Sequence, residues 1–324
     1  MNLDRLKGEA FACRCGNFCR IWCPVHEIVK SESTCASGYN YYARGVLRGL
    51  VKYTPSSALC LYRCAGCGAC TWARCPFSPP VDTRKVVEAM RADVVDLGLA
   101  PKTVVELGEN LGKHHNPYGM PHEERFNWLS GRREPKERAK MAYFVGCMAS
   151  YRTNLNPIPE AMIKILDSVK EAFVVLAGEE WCCGLPALKT GHRAVAKSLA
   201  EHNVKAVHDA GAETLLTGCP ACYVSFKQDY PEEYGIDVDF DVIHSTEYLL
   251  DLIRSGKLEL PRAVKGVATY HDPCHLGRFV KMYDQPREIL SNIRGLKLVE
   301  MERNRQYARC CGGGIQVPWE DLAL

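Results

Sequence analysis

Residues 173–184 have the sequence FVVLAGEEWCCG, in which a short apolar run precedes the adjacent cysteines Cys182 and Cys183 and then Gly184. An apolar run of this length, bounded by glycine and polar residues, is typical of a buried strand. The chain thus places two thiols just beyond the carboxyl end of a strand. The same arrangement occurs elsewhere in the C-terminal half.

Short apolar runs alternate with amphipathic segments from residue 141 onward. The predicted strands are 141–145, 173–176, 214–217, 238–243, 267–270 and 297–300. The predicted helices are 157–169, 192–210, 221–228, 245–255 and 285–293. Strands that alternate with helices in this way favour an α/β fold, in which helices cover a parallel sheet.

Cysteines follow the predicted strands. The thiols just beyond strand ends are those of Cys147, Cys182, Cys183, Cys219 and Cys274. Because α/β sheets carry their sites at the carboxyl ends of strands, we expect these thiols to form functional groups. The pattern also repeats, since 34 residues separate Cys147 from Cys182-Cys183-Gly184, and 35 separate Cys274 from Cys310-Cys311-Gly312.

The cysteine content indicates metal binding. The chain has 324 residues and 18 cysteines. Disulfide scaffolds are typically short and secreted, whereas this N-terminus has no apolar signal segment, so we expect a cytoplasmic chain with free thiols. Its longest apolar runs are far too short to cross a membrane. The formal net charge of +3 does not indicate nucleic-acid binding. Ordered free thiols leave zinc and iron–sulfur clusters as alternatives.

Two cysteine motifs in the first 76 residues are typical of ferredoxins. Residues 64–76 have the spacing C-x2-C-x2-C-x4-C-P, and residues 13–24 have the spacing C-x-C-x3-C-x3-C-P. In such pairs the cysteine before proline ligates the other cluster. We therefore predict one [4Fe–4S] cubane on Cys13, Cys15, Cys19 and Cys75, and a second on Cys23, Cys64, Cys67 and Cys70. A pair of zinc sites is the alternative, which the two C-P endings and the lack of spaced histidine pairs disfavour.

A third constellation lies in the α/β region. It consists of Cys147, Cys182, Cys183, Cys219 and Cys222. Five thiolates exceed what one four-coordinate zinc ion or one cubane needs. The adjacent pair is awkward for a single tetrahedral ion, but it can bridge two irons of an open cluster. Five buried structural thiols are the alternative.

The chain resembles the iron–sulfur oxidoreductases that carry cysteine-rich "CCG" domains. This family includes the heterodisulfide reductase catalytic subunit and the iron–sulfur subunits of glycolate oxidase, lactate-utilisation and anaerobic glycerol-3-phosphate dehydrogenase systems. Besides the two ferredoxin motifs, the resemblance rests on residues 116–119 (NPYG), 146–147 (GC), 181–184 (WCCG), 271–278 (HDPCHLGR), 286–290 (PREIL) and 300–301 (EM).

The resemblance implies a helical ferredoxin part with two cubanes and a noncubane [4Fe–4S] cluster on the five-cysteine motif. Paired noncubane clusters in this family cleave a disulfide. The second motif here has only Cys274, Cys310 and Cys311, and 13 residues follow Cys311, so we expect an incomplete second module. With His271 or His275 added, that site could hold an altered cluster, a zinc ion or nothing.

We therefore predict a helical ferredoxin-like domain over 1–109, a surface-covering linker over 110–140, a first CCG domain over 141–262 and an incomplete second one over 263–324. The predicted function is that of an oxidoreductase iron–sulfur subunit. It would act on a thiol–disulfide couple, as in heterodisulfide reductase, or link a flavin-dependent 2-hydroxy acid dehydrogenase to a quinone. A non-catalytic relay or assembly subunit with a structural metal in the second module is the alternative.

The expected partners are other subunits of a redox complex, since the chain has no G-x-G-x-x-G fingerprint of its own. They would be a flavoprotein, or a membrane subunit with quinone or haem, which would place the chain at the inner face of the membrane. Lys189, His192 and Arg278 could contact an anionic substrate or cluster sulfurs, although we expect them to be surface charges. Arginines Arg14, Arg20, Arg63 and Arg74 flank the ferredoxin motifs.

Overall fold

The computed structural model of the chain describes residues 1–73, 75–129 and 138–313. Its N-terminal part is helical. Helices α1 to α7 span Lys7–Ala12, Pro24–Val29, Ala36–Leu47, Pro55–Tyr62, Ala69–Trp72, Thr83–Asp96 and Lys102–His114. Helix α6 begins after Asp82, whose carboxylate accepts hydrogen bonds from the first backbone N–H groups of the helix. Helices α2 and α4 begin at prolines, which need no N–H partner there.

The C-terminal part alternates strands and helices. Strands β1 to β6 span Met141–Phe144, Phe173–Val175, Thr214–Thr217, Asp241–His244, Gly266–Ala268 and Leu296–Leu298. Helices α8 to α14 span Cys147–Tyr151, Pro157–Ser168, Leu185–Thr190, Arg193–Asp209, Pro220–Val224, Ser245–Arg254 and Asp284–Ser291.

The first four strands form one parallel sheet in the order β2-β1-β3-β4. Met141 lies opposite both Phe173 and Thr214, and Thr214 lies opposite Asp241. The chain passes from β1 outward to β2 and then back across β1 to β3. The order of the strands therefore reverses between β1 and β3, and such a switch point opens a crevice at the carboxyl ends. Strands β5 and β6 form a separate parallel pair.

The main sheet is buried on both faces. Ala142 and Phe144 of β1 belong to one apolar core, whereas Met141 and Tyr143 belong to the core on the opposite face. Because side chains of a strand alternate between faces, a strand with two covered faces has a continuous apolar sequence. This explains why the strands are uninterrupted apolar runs.

The helical part packs directly against the start of the α/β part. Ala187 and Leu188 of α10 and Leu199 of α11 belong to the same apolar core as the N-terminal helices. Helix α10 is also fixed at its carboxyl end, where Arg91 donates to the Lys189 carbonyl and Tyr62 to the Thr190 carbonyl. This packing holds the ferredoxin motifs against the segment that follows Cys182 and Cys183.

The predicted α/β class with a parallel sheet is confirmed. Strand β4 begins three residues later than predicted. The helix predicted over 221–228 is the short α12, followed by a π-helical segment, Ser225–Tyr234. Pro231 lies in this segment and has no N–H to donate, so a regular α-helical pattern cannot continue through it. Helix α7 crosses the predicted domain boundary at 109; the domain limits themselves stay predictions.

Candidate functional site

The five thiols of the third constellation meet at the switch point of the sheet. Cys147 begins the helix after β1, and Cys219 precedes the helix after β3, so the two flank the crevice between these strands. Cys182 and Cys183 come from the loop after β2. The placement at strand ends therefore predicted the position of the group correctly.

The five thiols form a series in which each is hydrogen-bonded to the next, in the order Cys147, Cys182, Cys183, Cys222 and Cys219. Hydrogen bonds from neighbouring thiols are the first cause of a lowered pKa at Cys147 and Cys183 and of a raised pKa at Cys182 and Cys222. These contacts favour the thiolate form at Cys147 and Cys183 and the thiol form at Cys182 and Cys222. Thiolate is the form of cysteine that ligates metals and clusters.

Two glycines permit the close approach of these loops. Gly146, just before Cys147, has φ +85°, and a Cβ there would lie 3.2 Å from the sulfur of Cys222. Gly184 has φ +82°, and a Cβ there would lie 3.0 Å from the Ala196 carbonyl oxygen. Positive φ strains other residues, so glycine is needed at both positions.

A buried ion pair holds the Cys147 loop, and sequence analysis missed it. Arg125 and Glu180 are both completely buried, with Arg125 Nη2 2.7 Å from Glu180 Oε1. The Glu180 carboxylate also accepts the backbone N–H groups of Val145 and Gly146, at 2.7 and 2.8 Å. Both terminal nitrogens of Arg125 lie 3.6 Å from the sulfur of Cys147. The sequence position of Glu180, directly before Trp181-Cys182, could have indicated a role near the thiols. Arg125 is not next to any cysteine motif, so its sequence position gives no such indication.

Arg125 lies in the segment 110–140, which stays a predicted linker but contributes buried residues. We expected this segment only to cover surface, yet Arg125 and Asn116 are completely buried. His115 stacks on Trp181 with ring centroids 3.5 Å apart. The segment is helical at 122–129 and contributes a charge to the site, and its low periodicity concealed this role.

The four cysteines predicted for the second cubane line one cavity. They are Cys23, Cys64, Cys67 and Cys70. The rest of the lining includes small apolar residues such as Val25 and Ala65, together with Tyr39 and Arg84. A thiol-lined cavity suits an iron–sulfur cluster, whose ligands are thiolates.

The cysteines predicted for the first cubane also lie together. Cys15 and Cys75 both act electrostatically on Cys13, and Cys15 also acts on Cys19. Burial raises the pKa of Cys13 to about 11 and that of Cys19 to about 12. Cys35, which no motif includes, is completely buried and close enough to act on both.

The second thiol group, Cys274, Cys310 and Cys311, adjoins the second cubane cavity. The Cys310 thiol lies within hydrogen-bonding reach of the sulfurs of Cys274 and Cys311 and also of that of Cys67. Hydrogen bonding to Cys310 is the first cause of the lowered pKa of Cys67, about 7, and of Cys311, about 5. His275 Nδ1 lies 3.5 Å from the sulfur of Cys274. The motifs gave no sign that a ferredoxin cysteine would contact this group.

Two of the expected surface charges are instead buried. Lys189 is completely buried and Arg278 is 1% exposed. His192 is half-buried and its Nδ1 lies 3.1 Å from the Thr190 hydroxyl. Their sequence neighbours are polar or mixed, so only the packing of the two parts reveals the burial. Arg74 and the predictions for residues 314–324 lie outside the described residues.

Within the described ranges, no three His, Cys, Asp or Glu side chains converge as a single metal ion would need. In an iron–sulfur cluster the thiolates bind different iron atoms, so they need not converge on one point. The donor set of these sites consists of thiols in apolar or cationic surroundings, and this set fits iron–sulfur clusters.

The family described as "Cysteine-rich domain" (CCG) matches residues 141–227 and 268–323. The chain is 34% identical to a subunit of Dihydromethanophenazine:CoB–CoM heterodisulfide reductase from Methanosarcina barkeri, over 98% of this chain and 81% of the relative. It is 29% identical to EtfAB:quinone oxidoreductase of Syntrophomonas wolfei, over 91% of this chain and 41% of that protein.

A third relative, a probable membrane-anchored ferredoxin of Chromohalobacter salexigens, is 33% identical over 81% of this chain and 39% of its own length. No solved structure matches the chain. Among the helices of the described residues, none has the length and apolar character of a membrane span. The match to the heterodisulfide reductase protein covers nearly the whole chain. The chain belongs to the family of iron–sulfur oxidoreductase subunits with cysteine-rich CCG domains.

Proposed function

We propose that the chain passes electrons through two [4Fe–4S] cubanes to a noncubane [4Fe–4S] cluster, which acts on a thiol–disulfide couple. The observation that carries this proposal is the contact between five thiols at the switch point of the sheet. Such a group exceeds the needs of one zinc ion or one cubane. The likeness to the heterodisulfide reductase protein of Methanosarcina barkeri supports the same reaction.

The cysteines divide into three ligand sets. The first cubane would be held by Cys13, Cys15, Cys19 and Cys75. The second would be held by Cys23, Cys64, Cys67 and Cys70, and the noncubane cluster by Cys147, Cys182, Cys183, Cys219 and Cys222. Bound there, the clusters would supply one-electron chemistry. Cys274, Cys310 and Cys311 form a further thiol group, for which a cluster or a zinc ion are the alternatives.

Reduction of a disulfide takes two electrons and two protons and yields two thiols. The residues of the chain contribute the environment of this reaction. Arg125 places a buried positive charge 3.6 Å from the sulfur of Cys147. Glu180 keeps the loop of Cys147 in place through the N–H groups of Val145 and Gly146. A fixed charge at a ligand sulfur favours the thiolate and alters the potential of the cluster that it holds.

The electrons would come from another subunit of a redox complex. The sequence has no dinucleotide fingerprint, so a flavoprotein donor would be a separate chain. A second candidate function is the transfer of electrons from a flavin dehydrogenase to a quinone. The relative named EtfAB:quinone oxidoreductase supports it. A membrane partner with quinone or haem would then hold the chain at the inner face of the membrane.

The test is reduction of a disulfide by the anaerobically purified chain. With a reduced viologen as donor, the heterodisulfide of CoM and CoB is the first substrate to try, because it is named for the relative. We expect viologen oxidation with release of two thiols per two electrons. Cys183→Ser should abolish turnover and leave both cubane signals intact, whereas Cys60→Ser, outside the three ligand sets, should not change it.

Two other outcomes would redirect the proposal. No turnover by a chain with all clusters present would contradict the disulfide reaction and favour the non-catalytic relay. Turnover of a quinone but of no disulfide would favour the second candidate. Turnover that survives Cys183→Ser would contradict the placement of the reaction at the five-thiol group.

A further inference from the structure

Three buried cations surround the loop of residues 64–70, which carries three of the thiols proposed for the second cubane. Arg91 and Lys189 are completely buried, and Arg278 is 1% exposed. They come from three different parts of the chain, namely helix α6, helix α10 and the segment after Cys274. Burying a charge is costly unless an opposite charge or hydrogen bonds compensate for it.

Lys189 connects the loop to the second thiol group. Its Nζ lies 3.4 Å from the Gly66 carbonyl oxygen and 3.1 Å from Nε2 of His275. The other ring nitrogen of His275 lies 3.5 Å from the sulfur of Cys274. The positive charge of Lys189 therefore lies between the proposed cubane and these thiols.

Arg278 makes a second connection between the same two regions. Its Nε donates to the Cys67 carbonyl at 2.7 Å, and its Nη1 donates to the Ala308 carbonyl at 2.7 Å. Its Nη2 is buried without a hydrogen-bond partner among the described residues. Arg91 completes the set, because its Nη2 donates to the carbonyls of Leu61 and Cys64 at 2.8 and 2.5 Å.

The polar contacts of these three cations are with carbonyl oxygens and an imidazole. In the described part of the chain, none of the three forms an ion pair with a carboxylate. Asp229 interacts electrostatically with Lys189, and burial raises the pKa of this carboxyl to about 7. The buried Glu88 carboxylate acts on Cys64, but its ion pair is with Arg84, at 3.3 Å. The three cations therefore have no ion-pair partner among the described residues, and an anionic cluster with its thiolates would provide the countercharge.

The surroundings of the first ligand set differ. Among the described residues, Arg44 is partly buried and donates to the Cys13 carbonyl, while Arg14 is exposed and donates to the Phe11 carbonyl. Arg20 is exposed and is paired with Glu32. The exposed charges of Arg14 and Arg20 are screened by solvent and act weakly, which leaves Arg44 as the one partly buried cation of these three.

We infer that Lys189, with Arg278 and Arg91, makes the cluster on Cys23, Cys64, Cys67 and Cys70 the higher-potential cubane, where electrons gather before they reach the thiol groups. This inference rests on the proposed function. Reduction adds one electron to a buried anion, and nearby uncompensated cations stabilise the added charge. Electrons that enter at the first cubane would therefore move to the second, beside the second thiol group. Lys189 thus acts on the potential of the cluster and does not itself react.

The test is an EPR-monitored redox titration of the anaerobically purified full chain. We expect two cubane signals, and Lys189→Gln should lower the midpoint potential of the higher one. Lys189→Arg keeps the charge and should restore the wild-type value. Lys140→Gln is the matched control, since Lys140 is 82% exposed and paired with Glu213, and it should leave both midpoints unchanged.

A second measurement does not depend on the folding of the Lys189 variant. Cys64→Ser should alter the signal with the higher potential, and Cys15→Ser the signal with the lower one. The reverse assignment would overturn the inference, as would unchanged midpoints in Lys189→Gln. A chain without two cubane signals would refute the proposed function and the inference together, whereas two signals with unchanged midpoints would refute the inference alone.

Discussion

Replacement of Arg125 by methionine tests the buried ion pair behind the Cys147 loop. Arg125 and Glu180 have no exposed side-chain surface, so the variant leaves the Glu180 carboxylate buried without its countercharge. Removal of one partner of such a pair costs about 3–5 kcal/mol. At about 2 °C per kcal/mol for a chain of this size, the thermal midpoint should fall by roughly 6–10 °C.

The matched control is the exposed pair of Arg254 and Glu288. It is also an Arg–Glu pair, with two hydrogen bonds at 2.7 and 2.6 Å, but its side chains are 59% and 38% exposed. Arg254→Met should therefore cost less than about 1 kcal/mol. The double variant Arg125→Met/Glu180→Gln should lose less than the sum of its two single variants, because neither charge is then left alone.

The assay is thermal unfolding followed by circular dichroism in anaerobic buffer, at one scan rate and with iron content matched between samples. Arg125→Met should also lower the iron retained per chain, since Arg125 contacts the sulfur of Cys147. A midpoint within about 2 °C of that of Arg254→Met would refute the reasoning, because burial would then make no difference to the pair.

Three further predictions concern single positions. Gly146→Ala should lose iron and lower the free energy of unfolding by about 1–2 kcal/mol, because the residue has φ +85° and little space for a Cβ. Gly178→Ala is the control, since a Cβ at Gly178 would have nothing within 4 Å. Equal effects of the two variants would contradict this prediction. Asp229 has a folded-state pKa of about 7, above its ordinary value of 3.8, so its contribution to stability is complete below about pH 4 and is lost as the pH rises through 7. Asp229→Asn should therefore flatten the fall in thermal midpoint between pH 5 and 8, and an unchanged slope would contradict the shift. Cys75→Ser should remove or alter one cubane signal in EPR spectra, and Cys60→Ser should leave both unchanged.

Sequence periodicity was sufficient for the sheet and for the grouping of thiols. The strands of the main sheet are apolar on both faces, so their sequences are uninterrupted apolar runs, and cysteines follow their carboxyl ends. Ligand spacing also placed Cys23 with Cys64, Cys67 and Cys70, which line one cavity. These features depend on the order of neighbouring residues along the chain, which can be read from a single sequence.

The charges around the thiols could not be predicted in this way. Lys189, Arg278 and Arg125 lie in polar or mixed sequence, and nothing near them shows that they are buried. Their burial depends on how the helical part packs against the α/β part. The contact between Lys189 and Gly66, for example, joins residues more than a hundred positions apart in the sequence. The contact of Cys67 with Cys310 has the same origin. Long-range packing, rather than motif spacing, determines these contacts.

The content of iron, acid-labile sulfide and zinc per chain after anaerobic purification tests the central claim most directly. Two cubanes and one noncubane cluster correspond to about 12 iron and a similar amount of sulfide. We predict this value, and about 16 iron if the second thiol group also carries a cluster. About 8 iron would contradict the noncubane cluster, and zinc without sulfide would contradict the redox function altogether.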